Sequence, residues 1–418
     1  MIENCRKEIS RVTQWSFICT RLMGTPCWCL LNMLVFILYK NIHLTPLQII
    51  VIVALKPAAS LLSPYWCQSI YQRPHNIVPN LIGANFLRHL PFLFVPWINS
   101  AWYMIIAFGM NMVLARATIP AWMELFKSNL PDKKEQTVGY GTMIDYIGNA
   151  VFSVAIGYLL DYYPHIWKWL FFFTAALGAL STCTLLSIPT PDLLSSLNKI
   201  SLSFSNIREK TMRPWKQVWQ LLLEDKKFAL FQVGFMFGGG GLMVMQPALP
   251  QLFIDNLHLS FVEMGLAIAF CKAIGVLFSS SLWANYFRRV HIFQFCTLVT
   301  FFAALFPFFL LASSFHIFLL YIAYIFYGIM QAGSELNWHM SGLVFAKEKD
   351  SSIYSITNIL TVGIRGSILP LLGGILLESI YPLGVMLFGA LLCLLGSFHF
   401  ILLFREENKR IFNTKNIN

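Results

Sequence analysis

The feature that most limits the possible folds of this chain is the recurrence of apolar runs about 20 residues long. A run of that length crosses the hydrocarbon core of a bilayer as a helix. The runs lack the polar–apolar alternation of membrane β-strands, so we interpret them as helices. Only 12% of the residues are charged, far fewer than in soluble proteins. The predicted spans are 15–38, 46–66, 77–97, 101–125, 138–160, 166–188, 228–253, 260–286, 291–312, 315–341, 353–377 and 383–404.

The basic residues are distributed unevenly between the two sides of these spans. Six of the 30 Lys and Arg lie within spans, Lys40 and Lys168 lie on the outer side, and the other 22 lie in the tails and inner loops. This bias predicts that both termini are cytoplasmic. It also explains the net charge of +11 without nucleic acid as a partner. The first apolar run is too long for a cleavable signal peptide, so we interpret it as a retained first span. We expect a multi-pass protein of a cell membrane, such as a bacterial inner membrane.

The polar segment 189–227 separates six predicted spans from six others. It predicts a cytoplasmic linker between an N-terminal half, 1–188, and a C-terminal half, 228–404. Residues 405–418 would form a cytoplasmic tail.

The two halves share local sequence matches at nearly one offset. "NIHLTPLQ" at 41–48 resembles "NLHLSFVE" at 256–263, and Lys56 aligns with Lys272. "GYLLDYYP" and "GILLESIYP" begin 217 residues apart, at 157 and 374. These matches indicate a duplicated six-helix unit whose parallel copies are related by an axis along the membrane normal.

This organisation, with a long basic central loop and short inner loops after spans 2 and 8, resembles the major facilitator superfamily over essentially the whole chain. The resemblance implies an all-α integral membrane protein of 12 transmembrane helices in two pseudo-symmetric six-helix bundles. It also implies a secondary transporter, with substrate bound at the membrane midplane between the halves and no cofactor. The family's Gly-x-Leu-x-Asp-Arg-x-Gly-Arg-Arg pattern corresponds to "SPYWCQSIYQR" and "SSLWANYFRR", with amides at the acidic position. The matching candidates for the cytoplasmic gate loops are Gln68, Arg73, Asn285, Arg288 and Arg289.

Charged side chains within the spans are the main functional signal. A charge at the bilayer centre costs at least about 2.5 kcal/mol, so it faces a bundle interior or a wet cavity. Six basic and two acidic residues give 6 − 2 = +4, which predicts a small anionic substrate. The candidates for binding it are Arg21, Lys56, Arg116, Lys272 and Arg365. Structural ion pairs are the alternative for the lysines and Arg116, and snorkelling is the alternative for Arg21. For Arg88 a structural role is favoured.

Coupling to protons requires a titratable group within the membrane. Asp145, Glu335 and His339 are the candidates. The run "GGGG" at 238–241 suggests a flexible or broken gating segment at Gly239 and Gly240, with close helix packing as the alternative. "TPLQ" and "SFVE" predict capping boxes at two helix starts. Asp161 and Glu378 fall at outer helix ends, where we expect them to be solvated.

Other classes of function have weaker support. The histidines are scattered without a recurring acid partner, so we predict no enzyme. The nine cysteines lie mostly in apolar runs and lack metal-site spacing, so we predict no metal. A lipid flippase and a non-transporting sensor derived from a carrier are the remaining alternatives. The expected partners are a small-molecule substrate, a coupling ion such as the proton, and membrane lipids, with the protein as a monomer.

Overall fold

The computed structural model describes residues 2–62, 77–130, 133–188, 204–346 and 351–415, and every regular element in these ranges is helical. The helices are α1 (Ile2–Asn32), α2 (Leu34–Ile42), α3 (Pro46–Ala58), α4 (Ile77–His89), α5 (Ala101–Asn129), α6 (Lys134–Tyr162), α7 (Trp167–Leu180), α8 (Phe204–Glu224), α9 (Lys226–Met245), α10 (Phe261–Gly265), α11 (Lys272–Phe287), α12 (Ile292–Ala312), α13 (Phe318–Ala346) and α14 (Ser351–Lys415). Tighter helical turns extend α3 to Leu62 and α4 to Trp97, and a wider turn, Leu266–Cys271, joins α10 to α11.

The chain forms two compact units. The first contains Met1–Ile207 together with Ser260–Phe270, and the second contains Arg208–Leu259 and Cys271–Asn418. The short helix α10 therefore belongs to the first unit, although it lies in the second half of the sequence. The boundaries predicted for the halves and the linker remain predictions.

A turn that precedes α3 is repeated before α10, as the sequence match predicts. His43 and His258 both have positive φ angles, 57° and 51°, which residues with a side chain rarely adopt. In each copy a capping box follows, Thr45 with Gln48 and Ser260 with Glu263. Both predicted capping boxes are confirmed, and the shared left-handed histidine extends the repeat from sequence to backbone conformation.

Aromatic packing sets the register of α1 against α5 and α6 in the first unit. The Phe17 ring lies 5.0 Å from the Trp122 ring and 4.9 Å from the Phe126 ring, edge-on in both cases. A Cβ on Gly141 of α6 would lie 2.6 Å from Phe17. The glycine thus lets α6 approach α1, and one turn further along both helices Arg21 and Asp145 come together.

A larger aromatic cluster forms one end of the second unit. Phe228 and Phe231 of α9 are buried against Phe345 of α13 and Tyr354 and Phe400 of α14. These rings hold α9, α13 and α14 together. The glycine run lies on α9 about two turns after Phe231.

The glycine run does not break α9. The helix is continuous from Lys226 to Met245. A Cβ on Gly238 would lie 2.5 Å from Thr300, and one on Gly240 would lie 2.6 Å from Leu369. The expectation of a broken helix is therefore wrong, because close contacts with α12 and α14 stabilise the helix where its own propensity is low. Gating by Gly239 and Gly240 remains a prediction.

Within the described ranges, seven helices are long and apolar enough to cross a membrane, or eight if α1 and α2, which meet at a 49° bend, count as one span. One of these, Ile353–Lys409, has 57 residues, which is long enough for two spans of about 20 residues each. It contains a residue of non-helical backbone, Tyr381, at φ 57° and ψ 167°. Tyr381 falls in the gap predicted between the last two spans. The count of twelve remains a prediction, and several predicted spans lie partly outside the described residues.

Candidate functional site

Lys56 lies near the end of α3, and its side chain is exposed. Its Nζ lies 3.3 Å from Oδ1 of Asn32 and 5.0 Å from the centroid of the Trp28 ring. The cation is therefore held by an amide oxygen and an aromatic face, both on α1.

The amide that contacts Lys56 belongs to a polar network between α1 and α6. Asn32 donates through Nδ2 to Oδ1 of Asn149 at 3.3 Å, and Cys29 Sγ lies 3.1 Å from the same oxygen. Asn149 and Cys29 are buried. The network links the exposed lysine to the interior of the first unit.

Arg21 and Asp145 form an ion pair at the same helix seam. Nη1 of Arg21 donates to Oδ2 of Asp145 at 2.7 Å, and the two side chains are 41% and 42% exposed. The guanidinium also lies 5.1 Å from the Phe17 ring. Of the two acidic residues predicted within spans, Asp145 is thus already paired.

Two further basic residues predicted within spans of the first unit, Arg88 and Arg116, differ in burial. Arg88 is largely buried, and its Nε has no hydrogen-bond partner among the described residues. Arg116 is exposed on α5, with no carboxylate at ion-pair distance in the described part of the chain. Its role in substrate binding remains a prediction.

In the second unit, Lys272 lies within the electrostatic reach of Glu335. Glu335 is exposed on α13, and Gln331, one turn earlier, donates to its Oε1 at 2.9 Å. His339 is exposed one turn later on the same helix. Lys272, Glu335 and His339 thus belong to one unit and Lys56 to the other, so a shared site for the two lysines remains a prediction.

Arg365 is buried inside the second unit, with 6% of its surface exposed. Its Nη1 donates to the carbonyl oxygen of Phe235, and its Cζ lies 4.8 Å from that residue's ring. Gly239 provides the space, because a Cβ there would overlap the guanidinium.

A buried file of polar side chains precedes Arg365 on α14. Asn358 accepts from Nε2 of Gln232 at 2.6 Å and donates to Oγ of Ser341 at 2.9 Å. Thr361 donates to Oε1 of Gln232 at 2.9 Å. Asn358, Thr361 and Arg365 share one helix face, so the file links α9, α13 and α14 up to the guanidinium. The sequence alone does not reveal these hydrogen bonds, because Asn358 and Thr361 are uncharged and their partners Gln232 and Ser341 lie on other helices.

The predicted gate loops are described only in part. Gln68 and Arg73 lie outside the described residues, whereas Asn285, Arg288 and Arg289 are exposed at the end of α11. Their role at a gate remains a prediction.

Asp161 is a residue whose role the sequence did not reveal. Its carboxylate accepts hydrogen bonds from the backbone N–H groups of Phe261 at 2.8 Å and Val262 at 2.9 Å. Nζ of Lys40 lies 4.5 Å from the Phe261 ring. The expectation that Asp161 is merely solvated is wrong, because it caps the first turn of α10 from the end of α6.

The long apolar helices and the charged side chains along them define a multi-pass helical membrane protein. A family model described as Major Facilitator Superfamily matches residues 16–364. The chain belongs to this superfamily, as the sequence resemblance predicts.

Solved transporters share the fold. The nucleoside transporter NupG aligns at a TM-score of 0.70 and 12% identity, covering 94% of this chain and 99% of its own. A POT family transporter in complex with 5-aminolevulinic acid aligns at 0.70 and 12%, covering 96% of each chain. No curated protein sequence gives a significant match. Family and fold identify a membrane transporter, and at these identities the neighbours show the fold alone.

Proposed function

We propose that this protein is a secondary transporter that moves a small anionic organic solute across the membrane by alternating access. The superfamily supports transport, and the bias of basic residues supports cytoplasmic termini and insertion in a cell membrane such as a bacterial inner membrane. The anionic substrate is supported by the charged side chains.

The observation that carries the proposal is the excess of cations after pairing. Of the two acidic residues well inside spans, Asp145 is bonded to Arg21 and Glu335 acts on Lys272. Each carboxylate neutralises one charge, so the six basic residues keep an excess of +4. An excess of this size within a membrane is costly unless water or an anion compensates it.

Arg116 and Lys56 are the proposed contacts for the anionic group of the substrate. Arg116 is exposed with no ion pair among the described residues, and Lys56 is exposed with contacts to an amide and an indole ring. A guanidinium binds a carboxylate or phosphate through two parallel hydrogen bonds. Lys272 and Glu335 would then supply a second charged position, and Asp145 or Glu335 would couple protons.

The experiment measures how charge on the solute affects binding and flux. Purified protein is tested by thermal shift with matched pairs, uridine against its monophosphate and succinamide against succinate, and each stabilising solute is then tested for uptake in proteoliposomes. We expect only the charged member of a pair to stabilise and to be transported. Arg116→Gln should weaken its binding by about 10-fold to 100-fold, because a charge-assisted hydrogen bond contributes about 1.5–3 kcal/mol. Lys168→Gln, at the outer end of α7, is the matched control and should bind normally.

Each other outcome favours a different function. Equal stabilisation by the neutral partners, unchanged in Arg116→Gln, would contradict the anionic substrate. Binding without flux would favour the non-transporting sensor. Movement of a fluorescent phospholipid between leaflets, with no uptake of the soluble panel, would favour the flippase.

A further inference from the structure

A small cavity lies inside the second unit, among helices α9, α12, α13 and α14. Its volume is about 40 Å³. A cavity must offer about 10–15 Å³ to hold one water molecule, so this one has room for a few waters or one small ion. It is lined by Phe235, Gly238, Gly239, Leu242, Cys296, Val299, Thr300, Ala303, Met330, Ser334, Asn337, Arg365 and Phe400.

Arg365 alone carries a charge among these lining residues. One amino nitrogen donates to Phe235, but Nε is buried with no hydrogen-bond partner within the described residues. No described carboxylate lies at ion-pair distance from the guanidinium. Arginine stays protonated in proteins, so this charge cannot be removed by losing a proton. A buried charge without a counter-ion is strongly unfavourable.

The polar groups beside Arg365 can donate hydrogen bonds. Oδ1 of Asn337 lies 3.5 Å from Sγ of Cys296, which leaves the amide nitrogen of Asn337 for another partner. Neither that nitrogen nor the Ser334 hydroxyl donates to another residue in the part of the chain that the structure describes. The guanidinium of Arg365, the amide of Asn337 and the hydroxyl of Ser334 line a cavity that has no carboxylate, and donors of this kind are typical of anion binding.

The guanidinium is fixed beside the cavity. It packs on the Phe235 ring, and the absence of a Cβ at Gly239 allows it to fit there. Thr361, one turn before it on α14, is already bonded to Gln232. Because neighbours within its own unit hold the Arg365 side chain in place, a counter-ion has to bind inside the cavity.

We propose that this cavity binds one small monovalent anion at Arg365, with Asn337 and Ser334 completing its hydrogen bonds. The volume fits a halide ion or a carboxylate as small as formate. The site lies inside one unit and does not depend on the solute that the transporter carries, so it goes beyond the proposed function.

The experiment is a thermal-shift titration of the purified full-length protein in detergent. Sodium gluconate is replaced by sodium bromide, chloride or formate at constant ionic strength. Gluconate is too large for the cavity and serves as the reference anion. We expect the wild type to gain about 3 °C or more, with saturation, because a ligand that binds only the folded state raises its stability. Stabilisation by halides but not formate identifies a free ion, and stabilisation by formate alone identifies a carboxylate group.

Two variants and one control locate the effect. Asn337→Asp places a carboxylate on the cavity wall. This variant should be as stable in gluconate as the wild type is in halide, and added anions should no longer stabilise it. Arg365→Gln should also lose the response, whereas Arg405→Gln removes an exposed charge from the same unit and should keep it. No response in the wild type overturns the proposal, and so does a full response in Asn337→Asp, even if Arg365→Gln fails to fold.

Discussion

The carboxylate of Asp161 caps a helix that begins 100 residues later in the chain. Two backbone N–H groups at the start of a helix would otherwise lack partners, and the positive end of the helix dipole favours a negative charge. We expect Asp161→Ala to destabilise the first unit by about 1–2 kcal/mol. Asp161→Asn should cost less, because an amide oxygen still accepts a hydrogen bond.

Hydrogen exchange at the amides of Phe261 and Val262 measures this effect directly. Exchange should accelerate most in Asp161→Ala and less in Asp161→Asn. Glu378→Ala is the control, since Glu378 is the exposed residue at the matching repeat position. Unchanged exchange at both amides in Asp161→Ala would show that the cap contributes nothing.

His291 caps α12 in a manner that depends on pH. Its Nδ1 accepts a hydrogen bond from the N–H of Phe293, which a protonated ring cannot do. Partial desolvation lowers the pKa of the imidazole, Glu407 raises it and Lys227 lowers it further. The folded state therefore binds this proton less readily than the unfolded state, and stability contributed by neutral His291 should decline as pH falls below about 6.5.

Thermal unfolding of the wild type and His291→Asn between pH 7.5 and pH 5 checks this expectation. Asparagine caps without titrating, so the variant should lose less stability on acidification than the wild type. The matched control is His258→Asn. It replaces another exposed histidine, and asparagine readily adopts the left-handed backbone that this position requires, so the variant should follow the wild type. Parallel pH profiles for wild type and His291→Asn would contradict the prediction.

Among the elements, α11 and α13 make a close backbone approach at a pair of glycines, Gly275 and Gly328. A Cβ on Gly275 would overlap the carbonyl oxygen of Ile325 and lie 3.0 Å from the Cα of Gly328. Because backbone atoms cannot rotate away, Gly275→Ala should separate the helices and destabilise the second unit by about 1–3 kcal/mol. Gly83→Ala has no neighbour within 4 Å and should be neutral or slightly stabilising. Thermal unfolding of both variants measures the difference, and equal effects would contradict it.

The elements also show what the sequence could and could not predict. The all-helical class and both capping boxes follow from local patterns, because apolar length and the spacing of Thr45 and Gln48 act within one helix. The cap of α10 by Asp161 and the enclosure of Arg365 depend on partners from distant helices. The expectation that the glycine run breaks its helix was wrong for the same reason, since Thr300 and Leu369 pack against the run from other elements.

At the scale of the whole molecule, proton coupling and solute binding can be separated by substituting one carboxylate. Glu335 is exposed, accepts a hydrogen bond from the amide of Gln331 and interacts electrostatically with Lys272. We therefore expect Glu335→Gln to slow proton-driven uptake by at least about 10-fold while exchange of labelled for unlabelled solute continues, because exchange requires no net movement of protons. The substituted amide can keep a hydrogen bond with Gln331, and continued exchange would itself show that the variant is folded.

Proteoliposomes loaded with the anion that gives the largest thermal shift measure both modes in one preparation, with and without an imposed proton gradient. Glu378→Gln removes an exposed carboxylate from α14 and should retain both modes. If Glu335→Gln loses exchange together with driven uptake, Glu335 acts in solute binding or in the conformational change itself. If it loses neither, the coupled proton does not bind at Glu335, and Asp145→Asn becomes the decisive variant. A transporter that carries two charges through one conformational cycle must bind them at groups whose occupancies depend on each other. Lys272 and Glu335 interact electrostatically, so they are a pair through which a proton and an anionic solute would influence each other's binding.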